Sequence, residues 1–187
     1  MASKFLIASF ALYQQQSLRL TSSELAEVDS QRKAICIMES QPNEVGKGVV
    51  NFTQAGAHSL CEIRGAFTGL APGKKHGFHI HQYGNLLQGC TTAGPHYNPF
   101  GHSHAGPASL ARHVGDLGNV LADDLGNGKY NLLDHQVNLY GPYSVVGRSC
   151  VLHRNEDDLG LGENEESKKT GNAGARIACG VIGLASE

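Results

Sequence analysis

Residues 34–38 read Ala34-Ile35-Cys36-Ile37-Met38, an unbroken apolar run with isoleucine at alternate positions. Five residues are too few for an independent helix, and the β-branched content favours a buried strand. Val49-Val50-Asn51-Phe52 and Cys61-Glu62-Ile63-Arg64 follow with rough apolar/polar alternation. Gly77-Phe78-His79-Ile80-His81 and residues 130–133, 137–140, 149–153 and 177–184 extend the set to about eight short strands. Turn signals separate them at Pro42-Asn43, Pro72-Gly73, Gly126-Asn127-Gly128 and Gly141-Pro142. No amphipathic pattern lasts beyond three helical turns. The pattern therefore predicts an all-β fold, an antiparallel sandwich or barrel. Residues 84–118 and 154–174 fit no strand. They are long, Gly-rich and polar, and such loops in a compact domain are usually functional.

The composition agrees. Of 187 residues, 24 are Gly, about 13% against a usual ~7%. Only 17% are charged and 40% are hydrophobic, which excludes wholesale disorder. The formal net charge is −2, so general nucleic-acid binding is excluded. No apolar stretch is long enough to span a membrane as a helix.

Residues 1–32 differ from the domain expected over 33–187. Lys4 precedes an apolar run at 5–13, and the first acidic residue is Glu24. Three readings compete: a secretory signal, a mitochondrial presequence, and a disordered or helical extension. The cysteines, at 36, 61, 90, 150 and 179, contain no C-x-x-C, which argues against zinc-ribbon and thioredoxin-like sites. An odd count leaves one thiol over and mildly favours a reducing compartment.

Seven of the ten histidines fall between His76 and His113. In a strand, residues i and i+2 share a face, so His79 and His81 project together. His96, His104, His113 and Asp116 follow in a loop able to bend so that all four converge. Three imidazoles and a carboxylate suit a closed tetrahedral zinc site. His153 ends a distant strand. With His79, His81 and His96 it completes four imidazoles, a donor set suited to copper(II). His76 falls on the opposite strand face and reads as a hydrogen-bonded structural histidine. His102 reads as an exposed loop residue.

These residues carry a resemblance. Gly77–81, Gly89-Cys90-Thr91-Thr92-Ala93-Gly94-Pro95-His96-Tyr97-Asn98-Pro99, Arg112-His113-Val114-Gly115-Asp116-Leu117-Gly118-Asn119 and Gly171-Asn172-Ala173-Gly174-Ala175-Arg176-Ile177-Ala178-Cys179-Gly180 resemble the motifs of the copper/zinc superoxide dismutases. Asp157-Asp158-Leu159-Gly160 and Asn164-Glu165-Glu166-Ser167 match as well. The resemblance implies an eight-stranded antiparallel Greek-key β-barrel with two long functional loops. It implies one copper held by His79, His81, His96 and His153. It implies one zinc held by His96, His104, His113 and Asp116, with His96 bridging the two. Asp157 would link His79 to His104, and Cys90 would pair with Cys179. The implied reaction converts two superoxide radicals to dioxygen and hydrogen peroxide by copper redox cycling. Arg176 would anchor the anion, His96 would handle a proton, and Glu165, Glu166 and Lys169 would shape the approaching field, with Lys168 adding to it.

The resemblance further implies a homodimer, with Tyr83, Val146-Gly147 and residues 181–184 at contact positions, and loading by a copper-delivery chaperone. Gln82, where an acidic residue is common, and the apolar Asn85-Leu86-Leu87-Gln88 depart from the family pattern. Close likeness to cytosolic-type members favours the cytosol, while residues 1–32 keep secretion or a mitochondrial address open. Two other readings are weaker. A copper-chaperone domain would carry an extra thiol motif and often lack ligands. A structural β-sandwich would have no use for Arg176 and the charged loop.

Overall fold

A computed structural model describes residues 30–186, so the targeting readings of the N-terminal segment fall outside the described residues, save its last three positions. The order of elements is β1 (Arg32–Ser40), β2 (Lys47–Gln54), β3 (Cys61–Thr68), β4 (Lys75–His81), β5 (Leu87–Cys90), β6 (Asp116–Leu121), β7 (Gly128–Asp134), β8 (Ser149–His153), a single helical turn α1 (Ser167–Thr170) and β9 (Arg176–Leu184). Eight of the strands form one antiparallel sheet in the order β6-β4-β8-β9-β1-β2-β3-β7. The two ends of that order approach each other. Ala122 bridges Gly128, and Tyr130 Oη donates to Leu117 O at 2.6 Å, so the sheet is a nearly closed barrel. Closure removes the sheet edges that would otherwise offer unpaired backbone groups.

Alternation places the core. In β2, Val50 and Phe52 are buried while Val49 and Asn51 face outward. Phe78 packs edge-on against Phe67 and Tyr130, at centroid distances of 5.4 and 5.2 Å. The inner rows of all eight strands thus meet in one apolar core. The free cysteines Cys36, Cys61 and Cys150 lie buried in or beside it. The other two, Cys90 and Cys179, form a disulfide across 89 residues, tying the first long loop to β9.

Two sequence expectations need correction. Residues 137–140 are not a strand. Their apolar side chains are buried, but their amides bond to side chains: Val137 N to Asp134 Oδ1, Leu139 N to Gln54 Oε1 and Tyr140 N to Asn138 Oδ1. Backbone groups satisfied in this way have no need of a ladder partner. Conversely, the segment 84–118, read as loop throughout, contains β5 and the start of β6. Gly118 sits inside β6 at φ +75, and the register against β4 shifts between Gly77 and His79. A bulge with a left-handed glycine hides the strand's alternation.

The second half of that loop is brought onto β4 by Gly115. A Cβ there would lie 2.0 Å from Ile80 O. Without one, Ile80 N donates to Gly115 O, Tyr97 N to Ile80 O and Gly115 N to Tyr97 O, at 2.8–3.0 Å. This lattice carries His96 and His113 to the strand that bears His79 and His81.

Candidate metal centre

Two groups of donors form, and they share His96. His79, His81, His96 and His153 each offer a nitrogen, and these atoms lie within 4.8 Å of one another. His96, His104, His113 and Asp116 do the same. All seven residues are buried. His79 and His81 project from β4 and His153 from β8, whose pairing is in turn fixed by the barrel, and His96 is delivered by its isolated bridge to His81.

Hydrogen bonds decide which nitrogen of each ring is bare. His81 Nδ1 donates to Gly94 O at 2.8 Å and His153 Nδ1 to Gly174 O at 3.0 Å. A carbonyl can only accept, so both Nε2 atoms carry lone pairs, and they face each other at 3.3 Å. Asp157 accepts from His79 Nε2 and His104 Nε2, each at 2.8 Å, which leaves both Nδ1 atoms bare. His79 Nδ1, His96 Nε2 and His104 Nδ1 are buried without a hydrogen-bond partner. Buried acceptors that converge on one another without a proton between them call for a cation.

The second group is tighter. Asp116 Oδ1 lies 2.9 Å from His96 Nδ1, 2.9 Å from His104 Nδ1 and 3.0 Å from His113 Nδ1. The His104 contact is at an angle that makes no hydrogen bond. Donors bound to a tetrahedral zinc at about 2.0–2.1 Å sit roughly 3.3 Å apart, so this cluster has nearly the required size. Asp116 Oδ2 is engaged separately, accepting from His113 N and Ala105 N. One carboxylate oxygen is thereby reserved for an ion.

Titration behaviour follows from this geometry. Burial pushes His79 and His81 well below the ordinary imidazole value, lowers His96, and takes His153 down to about 3. These rings stay neutral, the form that binds metal. Burial also opposes a charged His104, yet Asp116 and Asp157 on either side raise it to about 9. Burial works against the Asp116 carboxylate too, but the three histidines around it hold it far below the usual range. Positive charge is wanted at this point, and a dication meets that demand better than a proton.

Several supporting residues were not singled out from the sequence. Asn119 grips Asp157 from both sides, donating to its carbonyl at 2.9 Å and accepting from its amide at 2.8 Å. Arg112, fully buried, donates to the carbonyls of His113, Val114 and Asp116 and pairs with Asp134. Arg148 lies 3.5 Å over the Tyr97 ring and donates to Gln82 O, bracing the residues beside His96 and His81. Their only sequence signal was membership of the motif around Asp116 or, for Arg148, none. His76 is hydrogen-bonded, to His153 O at 2.9 Å and from Ala71 N at 3.3 Å, and His102 is exposed.

A cavity of about 1020 Å³ opens onto His81, His96 and His153. Arg176 stands on its wall together with Glu165, Glu166 and Lys169. The Arg176 guanidinium donates to Cys90 O at 2.7 Å and to Gly94 O at 2.7 Å, the carbonyl that also holds His81. Burial lowers its pKa below the ordinary guanidinium value, and it remains a cation at neutral pH. Lys168 also borders the cavity, but its ammonium donates to Gly160 O at 2.5 Å and so fastens one part of the second loop to another.

Comparison with known proteins agrees with this geometry. The family model described as copper/zinc superoxide dismutase matches residues 46–182. The chain is 50% identical over 154 residues to a superoxide dismutase [Cu-Zn] of Cordyceps militaris, covering 82% of this chain and 99% of that one. It is 52% identical over 141 residues to the enzyme of the same name from Paramecium bursaria Chlorella virus 1, covering 75% and 74%. It is 47% identical over 158 residues to a protein of Onchocerca volvulus named extracellular superoxide dismutase [Cu-Zn], covering 83% and 77%.

Proposed function

The chain belongs to the copper/zinc superoxide dismutase family, and from that premise we propose how its residues divide the work. It is an oxidoreductase acting on superoxide, with copper and zinc as cofactors. In our reading His79, His81, His96 and His153 hold the copper, and His96, His104, His113 and Asp116 hold the zinc. The observation that carries the assignment is the sharing of His96: its Nδ1 lies against Asp116, which leaves Nε2 for the four-imidazole group. Bound copper supplies a one-electron couple that lets one superoxide be oxidised and another reduced, and zinc supplies a fixed positive charge.

The remaining work falls to the chain. His81 and His153 are held in one tautomer by the carbonyls of Gly94 and Gly174, so their bare nitrogens stay aimed inward. Asp157 does the same for His79 and His104. His96 Nε2, without an internal partner, is placed to take up and release a proton while Nδ1 stays against Asp116. Arg176 attracts the small anion and orients it beside the copper ligands. Lys169 adds to the positive field at the mouth, and Glu165 and Glu166 shape it.

The proposal includes a homodimer, supported by the exposed apolar residues Tyr83, Val181 and Leu184, and loading by a copper-delivery partner. Among the described residues no helix is long and apolar enough to cross a membrane. Three buried free thiols support a cytosolic placement. A secreted form is a second reading, favoured by the apolar run at 5–13 and by the extracellular name of the Onchocerca volvulus relative.

Superoxide consumption by metal-quantified protein, measured across ionic strength, tests the whole. Turnover should scale with copper and slow with added salt. Full occupancy of both metals without turnover would refute the assignment of roles.

A further inference from the structure

Asn51-Phe52-Thr53 is the one Asn-x-Ser/Thr triplet in the chain. Such a triplet is an acceptor for N-linked glycan only where the asparagine is exposed in the folded product. Strand phase decides that here. Successive residues of β2 point to opposite faces, and Phe52 is the inward one, with 0% of its surface exposed. Asn51 is therefore outward and exposed. A shift of the sequon by one residue would have aimed the glycan into the barrel core.

The surroundings leave room. Asn51 stands opposite Ile35 on β1 and Arg64 on β3, and Arg64 is itself exposed. Its neighbour along the same face, Val49, is 40% exposed. The Asn51 side-chain amide makes no hydrogen bond among the described residues, so no contact of the fold is lost when its nitrogen is substituted. The position is also on the β1–β2–β3 side of the sheet, whereas the metal donors come from β4, β6, β8 and the long loops.

We propose that Asn51 is an N-glycosylation site of the secreted form of this protein. The proposal rests on the secreted reading given above. The co-reactant is a lipid-pyrophosphate-linked oligosaccharide. Asn51 Nδ2 attacks the anomeric carbon of the first sugar, and a C–N bond forms as the anomeric C–O bond to pyrophosphate breaks. The lipid pyrophosphate leaves with that electron pair, and the amide proton passes to a base of the transferase. Transfer to the nascent chain precedes strand pairing, and the outward phase of residue 51 lets β2 pair afterwards with the glycan in solvent.

The test expresses the full chain in eukaryotic cells in two forms, one with its own N-terminus and one behind a strong secretory signal. Total protein is treated with peptide N-glycosidase and mapped by mass spectrometry. With the strong signal, a slower-migrating species should collapse to one band on treatment, with Asn51 converted to Asp. Thr53→Ala should lose that species completely while metal content and superoxide consumption stay unchanged. A chain behind the strong signal that carries no glycan at Asn51 overturns the proposal. Glycan behind the strong signal, but none with the native N-terminus, upholds the acceptor and rejects the secreted reading instead.

Discussion

A Cβ at Gly171 would lie 1.8 Å from Asp157 Oδ1. Gly171, in a left-handed conformation at φ +66, closes the end of α1 directly over the carboxylate that joins the two donor groups. The same Cβ would be 2.6 Å from His104 Nε2. Gly171→Ala should therefore push Asp157 out of line with both imidazoles. Loss of an outer carboxylate partner weakens metal binding by roughly 10–100-fold. Competition against a chelator measures it, and an affinity within twofold of the unaltered protein would show that Asp157 does not orient these rings.

Arg176 is held by carbonyls rather than by a carboxylate, so its charge is left for an incoming anion. Arg176→Ala should lower kcat/KM about tenfold or more, within the 10–10³ range of steering effects, and flatten its salt dependence. Metal content should stay near native. Arg176→Lys should keep part of the salt dependence but lose rate, because a point charge cannot hold two carbonyls in the same fork. A kcat/KM unaffected by Arg176→Ala removes the residue from the mechanism.

The three acceptors of Arg176, the carbonyls of Cys90, Thr91 and Gly94, lie on the loop tied by Cys90 and Cys179. Replacing the two cysteines by serine should lower stability by roughly 4–5 kcal/mol, the chain-entropy value for a loop of this length. At temperatures where the variant is still folded, kcat/KM should fall further than copper occupancy does. Parallel losses in the two would mean that the disulfide serves stability alone.

Arg112 and Asp134 are a fully buried ion pair beneath His113 and Asp116. Removing one member of such a pair costs about 3–5 kcal/mol, because the other is left buried and uncompensated. Arg112→Met should lower the Tm by roughly 10 °C in a domain of this size. It should also weaken zinc retention, since three carbonyls around His113 and Asp116 lose their donor. Differential scanning calorimetry with metal analysis reads both. A Tm shift of under about 2 °C, less than 1 kcal/mol gives in a domain of this size, would contradict the assignment.

The free thiols should be inert. Burial drives Cys150 well above the ordinary thiol value and pushes Cys61 up to about 12. Native protein at pH 8 should incorporate no alkylating reagent, and denatured, unreduced protein should incorporate it at Cys36, Cys61 and Cys150. Because the folded pKa of Cys61 is raised, its contribution to stability is complete below about 9 and fades as pH climbs toward 12. Mass spectrometry counts the adducts. Labelling of Cys61 in the native state at pH 8 would mean that β2–β3 opens far more readily than this packing allows.

The sequence by itself determined the all-β class, the pairing of His79 with His81 on one face, and the candidate ligands, because strand alternation and residue chemistry are local properties. It also placed turns at Pro42-Asn43, Pro72-Gly73 and Gly141-Pro142, where the chain does turn, and at Gly126-Asn127-Gly128, where the turn falls slightly earlier, at 124–125, and Gly128 already opens β7. It misplaced residues 137–140, whose alternation matches a strand but whose amides are served by Asp134, Gln54 and Asn138. It missed β6, where a left-handed Gly118 interrupts the pattern.

What only the tertiary structure decided is which bare nitrogens meet. His153 lies 57 residues beyond His96 in the sequence, and no spacing rule brings them together. Two long-range contacts do so: the antiparallel pairing of β4 with β8 sets His79 opposite Val151, two residues before His153, and an isolated bridge sets His96 against His81. The tautomer of each ring is likewise set by groups remote in sequence: Gly94 O for His81, Gly174 O for His153 and Asp157 for both His79 and His104. Ligand identity is a matter of side-chain chemistry and survives in the sequence. The direction of each lone pair depends on long-range hydrogen bonds, and these exist only once the barrel has closed.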